Sequence, residues 1–120
     1  LALEAQSGAE SSFYRARDLA QRQPESASAL SVAAAGMAKE GQLTEAVQLY
    51  ARAQALEPQN VSHAFNHAVA LDRLGQYANA LIQYEAAARL AERPGSPVGA
   101  ESIRQRIAVL RQALSGGSAK

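Results

Sequence analysis

Cysteine and tryptophan are absent from the 120 residues, and aromatic side chains of any kind make up 5%. Without cysteine there is no disulfide, no thiolate nucleophile and no Cys-built zinc site. The same absence suits an oxidising or a reducing compartment and selects neither. Long apolar runs are missing as well, since none approaches the roughly 18 residues that a membrane-spanning helix needs. Charge of one sign does not accumulate either: twelve basic residues face eleven acidic ones, for a net +1. A chain so balanced carries no overall electrostatic footprint for nucleic acid. The opening Leu1-Ala2-Leu3-Glu4 has neither an initiator Met nor a basic-then-apolar signal pattern. It reads as the start of an excised domain whose targeting segment has been removed.

Val and Ile are scarce, and the four prolines (Pro24, Pro58, Pro94 and Pro97) stand far apart. Ala and Leu fill the space between them. Few β-branched residues argue against a sheet, and abundant Ala and Leu favour helix. With 48% hydrophobic residues the chain is not disordered. At 12.6 kDa it makes one compact domain or one piece of a longer solenoid. The fold class is all-α.

The prolines also mark a period. Pro24 and Pro58 lie 34 residues apart, and at the same offset Gly41 pairs with Gly75, Gln42 with Gln76, Ala46 with Ala80, Tyr50 with Tyr84, Ala53 with Ala87 and Leu56 with Leu90. Similar residues fill the register between them: Met37 with Leu71, Lys39 with Arg73, Leu43 with Tyr77 and Val47 with Leu81. One fixed period of this length is the mark of a stacked repeat. Each unit divides into two helices. Ser26 caps a helix over about 27–40 that Gly41 ends, and a second runs over about 44–57, with Pro58 as breaker. Asn60 then caps a helix over about 61–74, Gly75 ends it, and a fourth spans about 77–92. Ala46, Tyr50, Ala53 and Leu56 draw an apolar stripe down one helix, and Ala80, Tyr84, Ala87 and Leu90 repeat it. Small residues at Ala34, Ala46, Ala68 and Ala80 let paired helices approach closely, while Tyr50 and Tyr84 fill the gap to the neighbouring unit.

A helix–turn–helix of this period with Gly41, Ala46, Tyr50, Ala53 and Pro58 in order resembles the tetratricopeptide repeat. The likeness is close over 27–60 and 61–94. Glu92 stands where the family has a terminal Pro, Leu30 and Ala64 where a large aromatic is usual, and His67 where Leu is common. The resemblance implies an antiparallel helix-hairpin solenoid. Residues 1–26 form a degenerate partial repeat, with a helix over 9–23 that puts Phe13, Ala16, Leu19 and Ala20 on one side. Residues 95–114 form a capping helix, with Ser96 as its cap, Pro97 in its first position and Ile103, Ile107, Leu110 and Leu114 facing inward. Residues 115–120 are a flexible Gly/Ser tail.

Reactive constellations are scarce. His63 and His67 are four residues apart and share a helix face suited to a metal, yet Ala-Phe-Asn between them lacks the Glu of a zinc-protease motif. They are expected to pack, His67 between the helices of its unit and His63 partly exposed, with no metal bound. Gly41 and Gly75 are single helix terminators, and Gly116-Gly117 sits in the tail, so no loop cradles phosphate. No strand–turn–helix context offers a nucleophile elbow. No catalytic residue and no cofactor are assigned. Arg89, Arg93, Arg104, Arg106 and Arg111 face only Glu92 and Glu101 as far as Gln112, a patch without the interleaved aromatics that bases would need.

By resemblance to the family, partners sit in a concave groove lined by the first helix of each unit. The lining is then Ser28, Ser31, Val32, Ala35 and Lys39, followed by Ser62, Phe65, Asn66, Val69, Asp72 and Arg73. Phe65 is its apolar anchor, and Asn66 a donor and acceptor to a peptide backbone. In the chaperone-binding subclass Lys, Asn and Arg clamp a terminal carboxylate. Here Ser31 and Ala35 replace the expected Lys and Asn, Asn66 alone is in place, and Gly99 and Ala100 do not complete the set. The expected function is a non-catalytic scaffold for a protein or peptide partner. Ten Arg against two Lys, with high Ala, look bacterial, and the order of unit, breaker and basic terminal helix is similar to scaffolds of pilus or secretion-machine assembly. Cytoplasm and periplasm both remain open. The rival expectation is a homo-oligomer formed through the apolar side of residues 9–23.

Overall fold

The computed structural model describes residues 14–118. Residues 14–22 form helix α1, followed by α2 (Ala27–Lys39), α3 (Leu43–Leu56), α4 (Val61–Arg73), α5 (Tyr77–Ala91) and α6 (Ala100–Ser118). There is no strand among the described residues. Phe13 and the rest of the expected partial repeat before residue 14 lie outside them.

Local chemistry sets these boundaries. Ser26 Oγ accepts the Ala29 amide at 3.1 Å and Asn60 Oδ1 the Ser62 amide at 3.0 Å, each satisfying a donor that the first helical turn leaves open. At the other end α2 and α4 close in the same way. Gly41 and Gly75 adopt φ of 81° and 80°, a left-handed conformation that costs glycine nothing. The amide of Gln42 then reaches the Met37 carbonyl (2.8 Å), and that of Gln76 reaches Leu71 (3.0 Å). These are paired Schellman turns, one repeat apart.

The chain stacks as a helical-hairpin solenoid in which α2 packs on α3, α3 on α4, α4 on α5 and α5 on α6. Ala34, Ala46, Ala68 and Ala80 are fully buried, and Tyr50 and Tyr84 nearly so. Two apolar clusters form the core. One gathers α1, α2 and α3 with Ala70 of α4, and the other gathers α4, α5 and α6. Val47, half-buried on α3, packs against both.

The ends depart from expectation. α6 starts at Ala100, not at Pro97. Ser96 does not cap it, because its hydroxyl exchanges bonds with Val98 in a local turn (2.8 and 3.2 Å) that also holds Gly95 at φ 78°. Helix continues through Ser118, so most of the expected flexible tail is the last turn of α6. Ile103, Ile107 and Leu110 are buried as the stripe requires. Leu56 is not: it closes α3 at 42% exposure, beyond the buried part of its stripe. In α1, Ala16 and Ala20 are buried in the first cluster and Leu19 packs on it. Over the described part, the surface expected to pair two chains is spent on the protein's own core.

Candidate functional site

A pocket of about 380 Å³ is lined from both α2 and α4. Ser28, Ser31, Val32 and Ala35 line it from α2, and Asn66 from α4. Those five belong to the expected groove. Three further lining residues, Glu57, Asn60 and His63, do not. Glu57 and Asn60 come from the turn between α3 and α4, and His63 from the first turn of α4. Glu57 Oε1 accepts from Asn60 Nδ2 at 3.2 Å and from His63 Nε2 at 2.9 Å, and the Ser31 hydroxyl stands 3.5 Å from His63 Nδ1. The bond from His63 holds the Glu57 carboxyl below the usual carboxylate range, and Asn60 adds to the effect. The signal for this trio was a carboxylate just past one helix, six residues before a histidine in the first turn of the next.

His63, expected to be partly exposed, is 5% exposed, and His67, expected between the helices of its unit, is half-buried. The reason lies in their partners. His63 is inserted between Glu57 and Ser31, whereas His67 Nδ1 donates to Gln54 Oε1 of α3 at 2.7 Å. Gln54 Nε2 in turn donates to Gln83 Oε1 of α5 at 2.9 Å, so one polar run crosses three helices. Burial pushes the His67 pKa down. The two rings therefore turn to different partners, and no group of three ligating residues able to hold a metal occurs among the described residues.

The remaining expected groove residues do not line this pocket. Phe65, Val69 and Asp72 recur at i, i+4 and i+7 on α4, one stripe of the helix. The first two pack on the cluster that includes Ile103, Ile107 and Leu110 of α6. The Phe65 ring meets Tyr84 edge to face, with centroids 6.2 Å apart. Asp72 accepts two bonds from Arg106, at 2.8 Å (Nε) and 2.7 Å (Nη2), and one from the Tyr84 hydroxyl at 2.9 Å. Arg106 holds the Asp72 carboxyl below its usual range, while burial and then Asp72 push the Tyr84 hydroxyl up. Arg73 reaches the Ala38 carbonyl at 3.4 Å, Ser62 is half-buried in the first turn of α4, and Lys39 is exposed at the end of α2. Phe65, expected to anchor a partner, is half-buried with its ring against Tyr84 of α5 and does not line the α2/α4 pocket.

The arginines are less isolated than their spacing suggests. Beyond the Arg106–Asp72 pair, Arg104 meets Glu92 at 3.4 Å, Arg111 pairs with Glu85 and Arg93 bonds Gln59. Distant carboxylates on α4 and α5, which no local window reveals, are folded against α6.

Ser31, His63 and Glu57 in line have the components of an activated nucleophile. The serine, however, sits inside α2, where the surrounding amides are committed to helical bonds and do not converge on an oxyanion. What the pocket offers is a set of donors and acceptors around two small apolar side chains, Val32 and Ala35.

No protein-family model matches the chain, and no curated protein resembles it at significant similarity. Among solved structures, the TPR2B domain of yeast Sti1, in its pHsp70 complex, superimposes with a TM-score of 0.74 at 24% identity, over 92% of this chain and 89% of that one. At this identity the likeness concerns the fold, and the fold is that of a tetratricopeptide-repeat domain.

Proposed function

We propose that this domain is a non-catalytic scaffold that holds a peptide segment of a partner protein against α2 and α4. The observation that carries the reading is the pocket itself. Hydroxyl, amide and imidazole groups from two helices surround Val32 and Ala35, as suits a main chain with one small apolar side chain. The yeast Sti1 domain with the same fold forms a complex with pHsp70, which supports a peptide as occupant. Recognition here runs through Ser28, Ser31 and Asn66, because the Lys and Asn of a carboxylate clamp are replaced by Ser31 and Ala35. The biological setting we propose is assembly of a bacterial pilus or secretion machine. It rests on the Arg-over-Lys composition and on the order of unit, breaker and basic terminal helix.

The test starts with a pull-down, using the domain as bait, followed by calorimetric titration of the recovered segment. Asn66→Ala is expected to leave the thermal midpoint unchanged and to weaken binding by about 1–2 kcal/mol, the loss of one interfacial hydrogen bond. Ala35→Arg, filling the exposed wall of the pocket, is expected to abolish it. Wild-type affinity in both variants would move the site off this face. Phe65→Ala is uninformative about binding, since its ring supports Tyr84.

A further inference from the structure

A second groove lies at the other end of the molecule, between α5 and α6, with a volume of about 380 Å³. Ala88 and the buried Ile107 give it an apolar floor, and Ala108 leaves one wall low. Three guanidiniums, Arg89, Arg104 and Arg111, stand around it. We propose that this groove is a docking surface separate from the α2/α4 pocket. Its occupant is an acidic partner peptide that seats one apolar side chain between flanking carboxylates.

Charge decides the partner. Arg89 is exposed and has no hydrogen-bond or ion-pair partner among the described residues. Arg93, one turn on, bonds only the neutral Gln59. Arg104 is held by Glu92 at 3.4 Å with both side chains more than half exposed, a contact that an incoming carboxylate exchanges at little cost. Arg111 is paired with Glu85. The groove itself is therefore lined by three guanidiniums and one carboxylate, Glu85, an excess of positive charge in a chain whose net charge is only +1. Glu101 keeps its charge but does not line the groove.

Shape excludes two other anions. No aromatic lines the groove, so a nucleic acid has no platform on which to stack its bases. Val109 is the one exposed large apolar residue of α6 among those described, too little for a helix that inserts into a lipid surface. A peptide uses both features present, the apolar trough and the cationic rim.

Fluorescence anisotropy with synthetic peptides tests this. The probe is a labelled peptide with one Leu flanked on both sides by runs of Glu, and its control carries Gln for every Glu. Saturable binding of the acidic peptide alone, weakened by added salt, is expected. Arg89→Glu and Ala108→Leu, both at exposed positions, are each expected to lower its affinity about tenfold. Asn66→Ala is expected to leave it unchanged, which separates this site from the α2/α4 pocket. The proposal is overturned by any of three outcomes: no saturation up to about 1 mM; equal affinity in Arg89→Glu; or preference for single-stranded DNA or phosphatidylserine vesicles over the peptide.

Discussion

Two ionisable residues tie the stack together, and each leaves a different mark on its pH stability. Asp72 is 14% exposed and accepts three bonds, from Arg106 and Tyr84. Its folded pKa lies below the ordinary 3.8, so its contribution is present above that value and lost as pH falls through the depressed one. Arg106→Gln is expected to cost roughly 1–2 kcal/mol at neutral pH, given the partial exposure of the arginine, and to flatten the acid limb. Urea unfolding of both proteins between neutral pH and the acid limb measures this. His67 works in the opposite sense to a histidine stabilised by a carboxylate. Burial favours its neutral form, so the unfolded chain takes up a proton first. Stability is full above the ordinary 6.5 and declines as pH falls from there to the depressed folded value, with no further loss below. In His67→Gln that decline is expected to disappear from the thermal midpoints.

Helix pairing rests on small residues in fixed register. Ala46 and Ala80 have no exposed surface, so Ala46→Leu or Ala80→Leu is expected to force the crossings apart at a cost of about 1–3 kcal/mol. Unchanged melting temperatures in both would contradict the packing. This level was the most legible in the sequence, because caps, glycine terminators and the Ala/Tyr stripe act within one or two helices. Gly36 was not legible. A Cβ there would sit 3.2 Å from that of Ala16, so the glycine lets α1 and α2 close together, a contact between residues twenty apart. The α2/α4 pocket was half legible. Ser28, Ser31, Val32, Ala35 and Asn66 follow from the resemblance to the tetratricopeptide repeat, which names the first helix of each unit as the groove wall. Glu57 enters from the α3–α4 turn through its bond with His63, and Phe65 turns to Tyr84 of α5, both of which are tertiary facts. Ser96-Pro97 imitates a helix start and forms a local turn instead, since the Ser96 hydroxyl finds Val98 first.

The whole molecule measures 53 × 37 × 19 Å, with a radius of gyration of 16.0 Å. A globular domain of this length would have about 14 Å. Such an elongated stack exposes its last unit unless something covers it, and α6 does so with Ile103, Ile107 and Leu110. Ending the chain after Pro94 is expected to remove roughly 5 kcal/mol or more from the α4–α5 pair, at about 1.5–3 kcal/mol for each buried side chain. Hydrogen exchange should then accelerate through α4 and α5 more than through α2 and α3. The two cores also share a seam, at which Val47 packs on both sides. The α2/α4 pocket has one wall on each core, so a peptide held there would lie across the seam like a splint, adding to the ties that Gln54–His67 and Arg73–Ala38 already make.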